Sequence, residues 1–323
     1  MAGARPSSFT LTRPGPLRLY STTELLRLPP PTWLIDDALP AGGLVGLYGA
    51  PGSAKTFVAI DFAMSVATGR PWQGKPVKRG SVLYIAAEGG AGIAKRAQAW
   101  LSEHGATSRE TLVMWLTEAI QVNNDTDGVN HLLARIEEVA YAAPSLIIID
   151  TLARCFDGDE NQQEDMGRFI AGVDRVRKEM DSTVIIVHHT RLGADRERGS
   201  TAFRGAADTM IHVQRPDKHE PIVLSCDKQK DAEEFEDLAV QLKVVPVTLQ
   251  GVMDSSCVIV ADKLEKAEII RRILIHGALP FTDLRDQAKA HGLPPTSLKR
   301  TLLGLTQNGK IIKENKEYRW LDE

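Results

Sequence analysis

The sequence has few cysteines and no long apolar run. Its cysteines, Cys155, Cys226 and Cys257, lie far apart without the spacing of metal ligands, which excludes a cysteine-based metal site and favours a reducing compartment. No apolar stretch approaches the length of a membrane span, and the N-terminus lacks the apolar core of a signal peptide. We therefore expect a cytoplasmic protein with no membrane partner.

The chain also lacks an excess of charge of either sign. Its 323 residues include 39 basic and 42 acidic side chains, a net charge of −3, so the whole-chain charge does not indicate a nucleic-acid partner. Hydrophobic residues make up 43%, enough for one large core and one smaller core. We expect an extended arm rich in Pro, Ser and Arg over residues 1–32, a large domain over 33–263 and a small domain over 264–323.

In the large domain, short apolar runs alternate with stretches of helical spacing. Strands are predicted at 43–49, 82–88, 145–150 and 183–189, and helices at 55–69, 92–105 and 162–180. After Ala207 the runs TMIHVQR, PIVLSCD, DLAVQLKVVPV and CVIVAD predict antiparallel strands at one edge. The predicted fold class is α/β, with a mainly parallel sheet flanked by helices and extended by antiparallel edge strands.

The last segment changes style and predicts a winged helix-turn-helix. Three short helices (265–277, 281–292 and 295–309) precede a β-hairpin that turns near Asn315–Lys316. The segment holds eleven Lys/Arg against eight Asp/Glu, whereas the rest of the chain is net acidic. Lys299 and Arg300, near the start of the third helix, are candidate duplex-DNA contacts, and docking of a protein is the open alternative.

A phosphate-binding loop is predicted between the first strand and the first helix of the large domain. The candidate nucleotide-binding residues are Gly49, Ala50, Pro51, Gly52, Ser53, Ala54, Lys55 and Thr56. Lys55 would reach the phosphates and the Thr56 hydroxyl would bind Mg²⁺. The motif G-x-x-x-x-G-K-[ST] has glycine where Ala54 stands, and alanine costs little there if the backbone is helical. An ordinary strand–turn–helix is the alternative.

Polar residues also end three other predicted strands. Asp150 would hold the Mg²⁺ shell, Glu88 would polarise the attacking water, and His189 would sense the γ-phosphate. The neighbouring His188 points to the opposite side of its strand and is expected to be packed. Capping and other structural roles are the alternative for each strand end.

A series of motifs over about residues 33–260 resembles the RecA-like ATPases, most closely the plasmid RepA-type hexameric replicative helicases. The motifs are GAPGSAKT, YIAAEGG, LIIIDTLARCF, IIVHHTRLG and ERGSTAFRGAAD. The resemblance implies ATP and Mg²⁺ bound through Lys55 and Thr56, with Glu88 as catalytic base and Asp150 as the metal-shell carboxylate. It also implies that His189 couples the nucleotide state to a loop that grips single-stranded DNA.

One family feature, the arginine finger that completes a neighbour's ATP site, is missing from its expected place. Asp208 stands there, and Arg204 lies one turn earlier. The other candidates, Lys228 and Lys230, resemble the basic pair that RecA-like and DnaB-like proteins insert into a neighbouring subunit. A finger that acts in trans requires a homo-oligomer, and the resemblance favours a hexamer.

The stretch at 191–200 would be the DNA-facing loop, with Arg191, Arg196 and Arg198 contacting the backbone of single-stranded DNA. A solvated loop is the alternative. The leading hypothesis is an ATP-driven DNA motor, a RepA-like helicase. A DNA-binding regulatory ATPase, whose winged helix binds duplex DNA, and a recombination mediator that forms filaments are the competing hypotheses.

Overall fold

The computed structural model describes residues 19–88, 90–123, 127–140, 142–189, 201–215, 217, 220–261, 266–291 and 293–321. Residues 19–32 of the expected arm are exposed throughout. They contain one four-residue helix, α1 (Thr22–Leu25), which begins with a capping box between Ser21 and Glu24. Two short antiparallel strands follow, β1 (Trp33–Ile35) and β2 (Leu39–Pro40).

The large domain then alternates strands and helices. Its first half contains β3 (Leu44–Gly49), α2 (Lys55–Thr68), β4 (Val82–Ala86), α3 (Gly90–His104), β5 (Val113–Leu116), α4 (Asp127–Val139) and β6 (Leu146–Asp150). Its second half contains α5 (Leu152–Cys155), α6 (Gln163–Met180), β7 (Thr183–His189), α7 (Thr201–Ala206), β8 (Thr209–Gln214), β9 (Ile222–Gln229), β10 (Leu238–Leu249) and β11 (Val252–Ala261). Helix α2 ends at Gly69, whose φ of 75° gives the left-handed cap that glycine favours.

Among the described residues, nine strands form one sheet in the order β11-β10-β9-β8-β3-β7-β6-β4-β5. The strands from β8 to β5 in this order run parallel, and β9, β10 and β11 add an antiparallel extension. This confirms the predicted α/β fold class, and the mainly parallel sheet is consistent with a RecA-like fold.

Side-chain alternation along the strands separates two apolar cores. On one face, Val45 and Leu47 of β3 pack in the core that includes α2 and α3. On the other face, Leu44 and Tyr48 pack in the core that includes α4 and α6. Strand residues two apart point to the same face. Asp150 and His189 each lie two residues after a residue of the core that includes α2, Ile148 and Val187, so both point to the α2 face.

Three details differ from the sequence predictions. The strand TMIHVQR, expected to be antiparallel, is β8, which lies parallel to β3 and antiparallel only to β9. Strand β4 ends at Ala86, so Glu88 lies two residues beyond the strand and not at its last position. Strand β5 and helix α4, which lie between the helix and strand predicted at 92–105 and 145–150, were not predicted.

Residues 266–321 form a small unit that we call the C-terminal module. It contains α8 (Lys266–Leu274), β12 (Leu279–Pro280), α9 (Phe281–Ala290), α10 (Pro295–Gln307), β13 (Ile311–Glu314) and β14 (Glu317–Trp320). Its three helices, its strands in the order β12-β14-β13 and its own core match the predicted element order, with β12 as an addition. The β13–β14 hairpin turns at Asn315 and Lys316, both with positive φ, as the sequence predicted.

No helix in the described ranges combines the length and apolar character needed to cross a membrane.

Candidate nucleotide-binding site

The predicted phosphate loop connects the buried end of β3 to the first turn of α2. Gly52 has a φ of +81°, a conformation that glycine adopts without strain. At Gly49 a Cβ atom would lie 2.2 Å from the carbonyl oxygen of Val213 in the next strand, so the close approach of β8 requires glycine there. The loop therefore leads into a helix N-terminus, where backbone N–H groups and the helix dipole favour phosphate.

Ala54, the departure from the motif, occupies the N-cap position of α2 with φ 76° and ψ 20°. The expectation that alanine has a low steric cost at this position assumed a right-handed helical backbone, and that assumption is wrong. The chain must turn through a left-handed residue to enter the helix, and a Cβ atom is strained there. The loop thus adopts the conformation that the motif's glycine would allow, at a steric cost carried by Ala54.

Lys55 is buried at the centre of the loop. Its Nζ donates hydrogen bonds to the carbonyl oxygens of Gly49 at 2.9 Å and Ala50 at 2.8 Å. Burial lowers the pKa of Lys55 to about 8, although the nearby carboxylates of Asp150 and Glu88 act in the opposite direction. A partly desolvated ammonium at a helix N-terminus is well suited to bind phosphate oxygens.

Thr56 and Asp150 lie together behind the loop. The Asp150 carboxylate is buried and accepts a hydrogen bond from the Tyr84 hydroxyl at 2.7 Å. Burial raises the pKa of Asp150, while the hydrogen bonds from Tyr84 and Thr56 lower it. A hydroxyl and a carboxylate are hard oxygen ligands of the kind that Mg²⁺ takes from a protein while it keeps water and phosphate as its other ligands. Among the described residues no cluster of three or more His, Cys, Asp or Glu could hold a metal, which is compatible with such a sparse site.

Glu88 and His189 lie at the same cleft. The Glu88 carboxylate accepts a hydrogen bond from the hydroxyl of Thr151, the residue after Asp150, at 2.6 Å, and this bond orients the carboxylate. The cleft has a volume of about 260 Å³. Its lining includes Gly52, Ala54, Lys55, Thr56, Glu88, Thr151 and His189. His188 is buried on the other face of β7 and faces the ring of Phe203, as expected from strand alternation.

The cleft also contains residues that the sequence analysis did not identify. Arg96, Phe57 and Arg215 line it, and the Arg96 guanidinium lies 4.7 Å from the centre of the Phe57 ring. Tyr84, which donates to Asp150, is fully buried in β4. The sequence did carry a signal for Tyr84, because it lies two residues before Ala86 on the same strand. Strand residues two apart point to the same face, so Tyr84 points to the α2 face, as Ala86 does. Arg96 carried none, since its position depends on how α3 packs against α2.

The three candidates for a trans-acting finger lie outside this cleft: Arg204 on α7, Lys228 on β9 and Lys230 directly after β9. Arg204 donates to the Asp227 carbonyl oxygen at 3.0 Å. Lys228 Nζ donates to the carbonyl oxygens of Arg204 at 2.8 Å and Gly205 at 3.2 Å, so it caps the last turn of α7 in its own chain. Lys230 is exposed and lies 3.4 Å from a carboxylate oxygen of Asp208.

Asp208 has a structural role at this point of the fold. Its second carboxylate oxygen accepts a hydrogen bond from the Leu44 backbone N–H at 2.9 Å and lies 3.8 Å from a guanidinium nitrogen of Arg177. These contacts join the start of β3 to α6. The carboxylate where an arginine finger was expected therefore stabilises the sheet at the end opposite to the phosphate loop.

The predicted DNA contacts fall into two groups. Arg191, Arg196 and Arg198 lie outside the described residues. Lys299 and Arg300 lie exposed on the first half of α10, opposite the buried Leu298 and Leu302. The Lys299 ammonium also lies 5.7 Å from the centre of the Phe281 ring.

The sheet order, the loop at the end of β3 and the carboxylate at the end of β6 define a phosphate-loop, ATPase-like α/β protein. The chain matches the AAA domain family AAA_25 over residues 17–195. This match covers more than half of the 323 residues, and the chain belongs to that family. Membership supports ATPase activity in general terms. No curated protein compared with the chain matches it.

Proposed function

We propose that this protein hydrolyses ATP and uses the energy to act on DNA, as a RepA-like hexameric helicase that moves on single-stranded DNA. The observation that carries the ATPase part is the single cleft that brings together Lys55, Thr56, Glu88 and His189 with Asp150 directly behind it. The helicase part is supported by the motif series from GAPGSAKT to ERGSTAFRGAAD.

Each residue has a role in this proposal. The backbone of the loop and Lys55 bind the triphosphate, and Thr56 and Asp150 hold Mg²⁺. When bound, Mg²⁺ neutralises charge on the β- and γ-phosphate oxygens. Glu88, oriented by the Thr151 hydroxyl, accepts the proton of the attacking water. His189 responds to the γ-phosphate and passes the nucleotide state to residues 191–200.

Arg96 is an additional residue in the proposed mechanism. Its guanidinium lines the cleft from the same chain, and its positive charge acts to lower the pKa of Asp150. A fixed positive charge in a desolvated cleft stabilises the charge that develops on transferred phosphate. We propose that Arg96 contacts the phosphates in cis, whatever the neighbouring subunit contributes.

The test of the proposal is phosphate release with and without single-stranded DNA, followed by unwinding of a forked duplex. We expect Glu88→Gln to lose hydrolysis by about 10²-fold or more while it still binds nucleotide. ATPase activity without DNA stimulation or unwinding would refute the motor and leave the ATPase. Absence of both nucleotide binding and hydrolysis in the wild type would refute the whole proposal.

The trans-acting finger can be tested by mixing two inactive variants. Lys55→Ala lacks the phosphate lysine but keeps Arg204, and Arg204→Ala has the reverse defect. In a head-to-tail ring assembled at random from equal amounts, about a quarter of the interfaces combine an intact loop with an intact finger. Recovery of activity on mixing would support a finger in trans at Arg204, and the same mixing with variants of Lys228 and Lys230 tests those candidates.

A second function, a DNA-binding regulatory ATPase, is favoured by one observation, the C-terminal module. Its three helices and small sheet have the element order of a winged helix, with Lys299 and Arg300 exposed on α10. In this alternative the module binds duplex DNA and ATP controls assembly. Binding of duplex that is lost in Lys299→Glu/Arg300→Glu, with no translocation, would favour it over the motor.

A further inference from the structure

Helices α2 and α3 are joined by a buried hydrogen bond that the proposed mechanism does not use. The Trp100 indole Nε1 donates to one carboxylate oxygen of Asp61 at 2.7 Å, and both side chains are almost fully buried. The Gln73 side-chain amide donates to the other oxygen at 3.1 Å. Because a carboxylate in an apolar core is costly unless it is hydrogen-bonded, the Trp100 donor constrains where α3 can lie against α2, whereas Gln73 lies outside both helices.

One helical turn nearer the nucleotide cleft, the same two helices meet again. Phe57 precedes Asp61 by four residues on α2, and Arg96 precedes Trp100 by four residues on α3. Residues four apart lie on the same face of a helix, so the two contacts form successive rungs between the helices. The upper rung, Arg96 above the Phe57 ring at 4.7 Å, lies in the lining of the cleft.

We infer that Asp61 and Trp100 are positioning residues, which fix α3 against α2 so that the Arg96 guanidinium lies at the nucleotide phosphates. This inference rests on the proposed ATPase function. A slide of α3 by one residue would displace it by about 1.5 Å, enough to break a hydrogen bond of this length. Burial raises the pKa of Asp61, and the hydrogen bonds from Trp100 and Gln73 act in the opposite direction.

Two ion pairs offer a competing explanation for the position of α3. Lys95 pairs with Asp254, and Glu103 pairs with Lys243 at 2.8 Å, both to the β10–β11 hairpin. Their side chains are 23–54% exposed, and such pairs contribute little because solvent screens them. The buried Asp61–Trp100 contact is the stronger constraint on Arg96.

A double-mutant cycle tests the inference, with kcat/KM for ATP hydrolysis as the readout. Trp100→Phe keeps an aromatic ring but removes the N–H donor, and we expect about a tenfold loss. Arg96→Ala should lose about 10²-fold. If Trp100 acts through Arg96, the double variant should equal Arg96→Ala within about twofold. Losses that multiply would overturn the inference.

The matched control is Gln73→Asn, which shortens the side chain by one methylene and so draws the other amide donor away from Asp61 while leaving the sequence of α3 unchanged. Gln73 has a positive φ, which asparagine tolerates. We expect this variant to lower the melting temperature but to keep kcat/KM, and an equal loss of activity would indicate a purely structural role. Circular dichroism checks that each variant is folded.

If Trp100→Phe does not fold, Phe57→Leu tests the other rung, and its effect should also vanish in the Arg96→Ala background. The same cycle run on ATP affinity, with a fluorescent ATP analogue, separates two kinds of failure. A wild type that binds but does not hydrolyse ATP refutes the proposed function, whereas independent effects on affinity refute the positioning role.

Discussion

The left-handed backbone at Ala54 predicts that Ala54→Gly stabilises the protein, whereas Ala94→Gly, in a right-handed helix, destabilises it. In this conformation an alanine costs roughly 1–2 kcal/mol that glycine does not. Glycine gains more freedom in the unfolded chain, which returns about 0.4–1 kcal/mol of that difference. Ala54→Gly should therefore stabilise the protein by about 1 kcal/mol, or about 2–4 °C in melting temperature for a domain of this size.

The matched control is Ala94→Gly, because Ala94 is exposed within α3. Glycine in the interior of an exposed helix costs about 1 kcal/mol, so this variant should melt at a lower temperature than the wild type. Thermal denaturation of both variants, with ATPase assays of Ala54→Gly, makes the comparison. We expect hydrolysis to be retained, with only a modest change in nucleotide affinity. A lower melting temperature for Ala54→Gly would refute the argument from backbone strain.

Three further outcomes follow from the structure. Tyr84→Phe removes the hydroxyl that donates to Asp150 and should raise the pKa of Asp150 further. The Mg²⁺ concentration needed for half-maximal hydrolysis should then rise by about tenfold, measured by Mg²⁺ titration. The pKa of Lys55 is about 8, and bound phosphate raises it, so nucleotide binding takes up a proton at and above this pH. Nucleotide affinity should therefore fall as the pH rises above 8, measured by calorimetric titration. Lys55→Arg should remove this pH dependence. Lys228→Ala should lower the free energy of unfolding by about 1 kcal/mol through the lost cap of α7. Lys230→Ala should change it by less than about 0.5 kcal/mol, and equal losses in denaturant titrations would contradict that reasoning.

The strands of the fold were predictable where the local signal was strong. The run Thr183–His189 contains four consecutive apolar residues, Val184–Val187, and β7 has the predicted bounds. The run Val113–Leu116 is short and half-buried at the edge of the sheet, so it lacks the pattern of a central strand. Helix α4 did carry a signal, because its buried residues recur at helical spacing between Val129 and Ile136. The direction of β8 depends on its partner β3, which no local pattern specifies.

The candidate site was predictable where it lies at the ends of elements. Lys55, Glu88, Asp150 and His189 come at or just after strand ends or at a helix start, and the carboxyl ends of parallel strands meet at one edge. The backbone of Ala54 was not predictable from a motif, because the closure of the loop between β3 and α2 decides it. Strand alternation indicates the face to which Tyr84 points but not its partner Asp150, and the contact of Arg96 with Phe57 depends on packing between helices distant in sequence.

The sheet also has an open side that bears on how the molecule behaves in solution. Among the described strands, β11 pairs with β10 alone, so one row of its backbone N–H and C=O groups points away from the sheet. Unpaired rows of this kind can recruit a strand from another molecule, and charged residues on the strand oppose it. Near its start, Val252 and Met253 are exposed, and Asp254 follows them. Replacing Asp254 with an apolar residue would therefore remove both the charged side chain of β11 and its ion pair with Lys95, and would favour association through this edge.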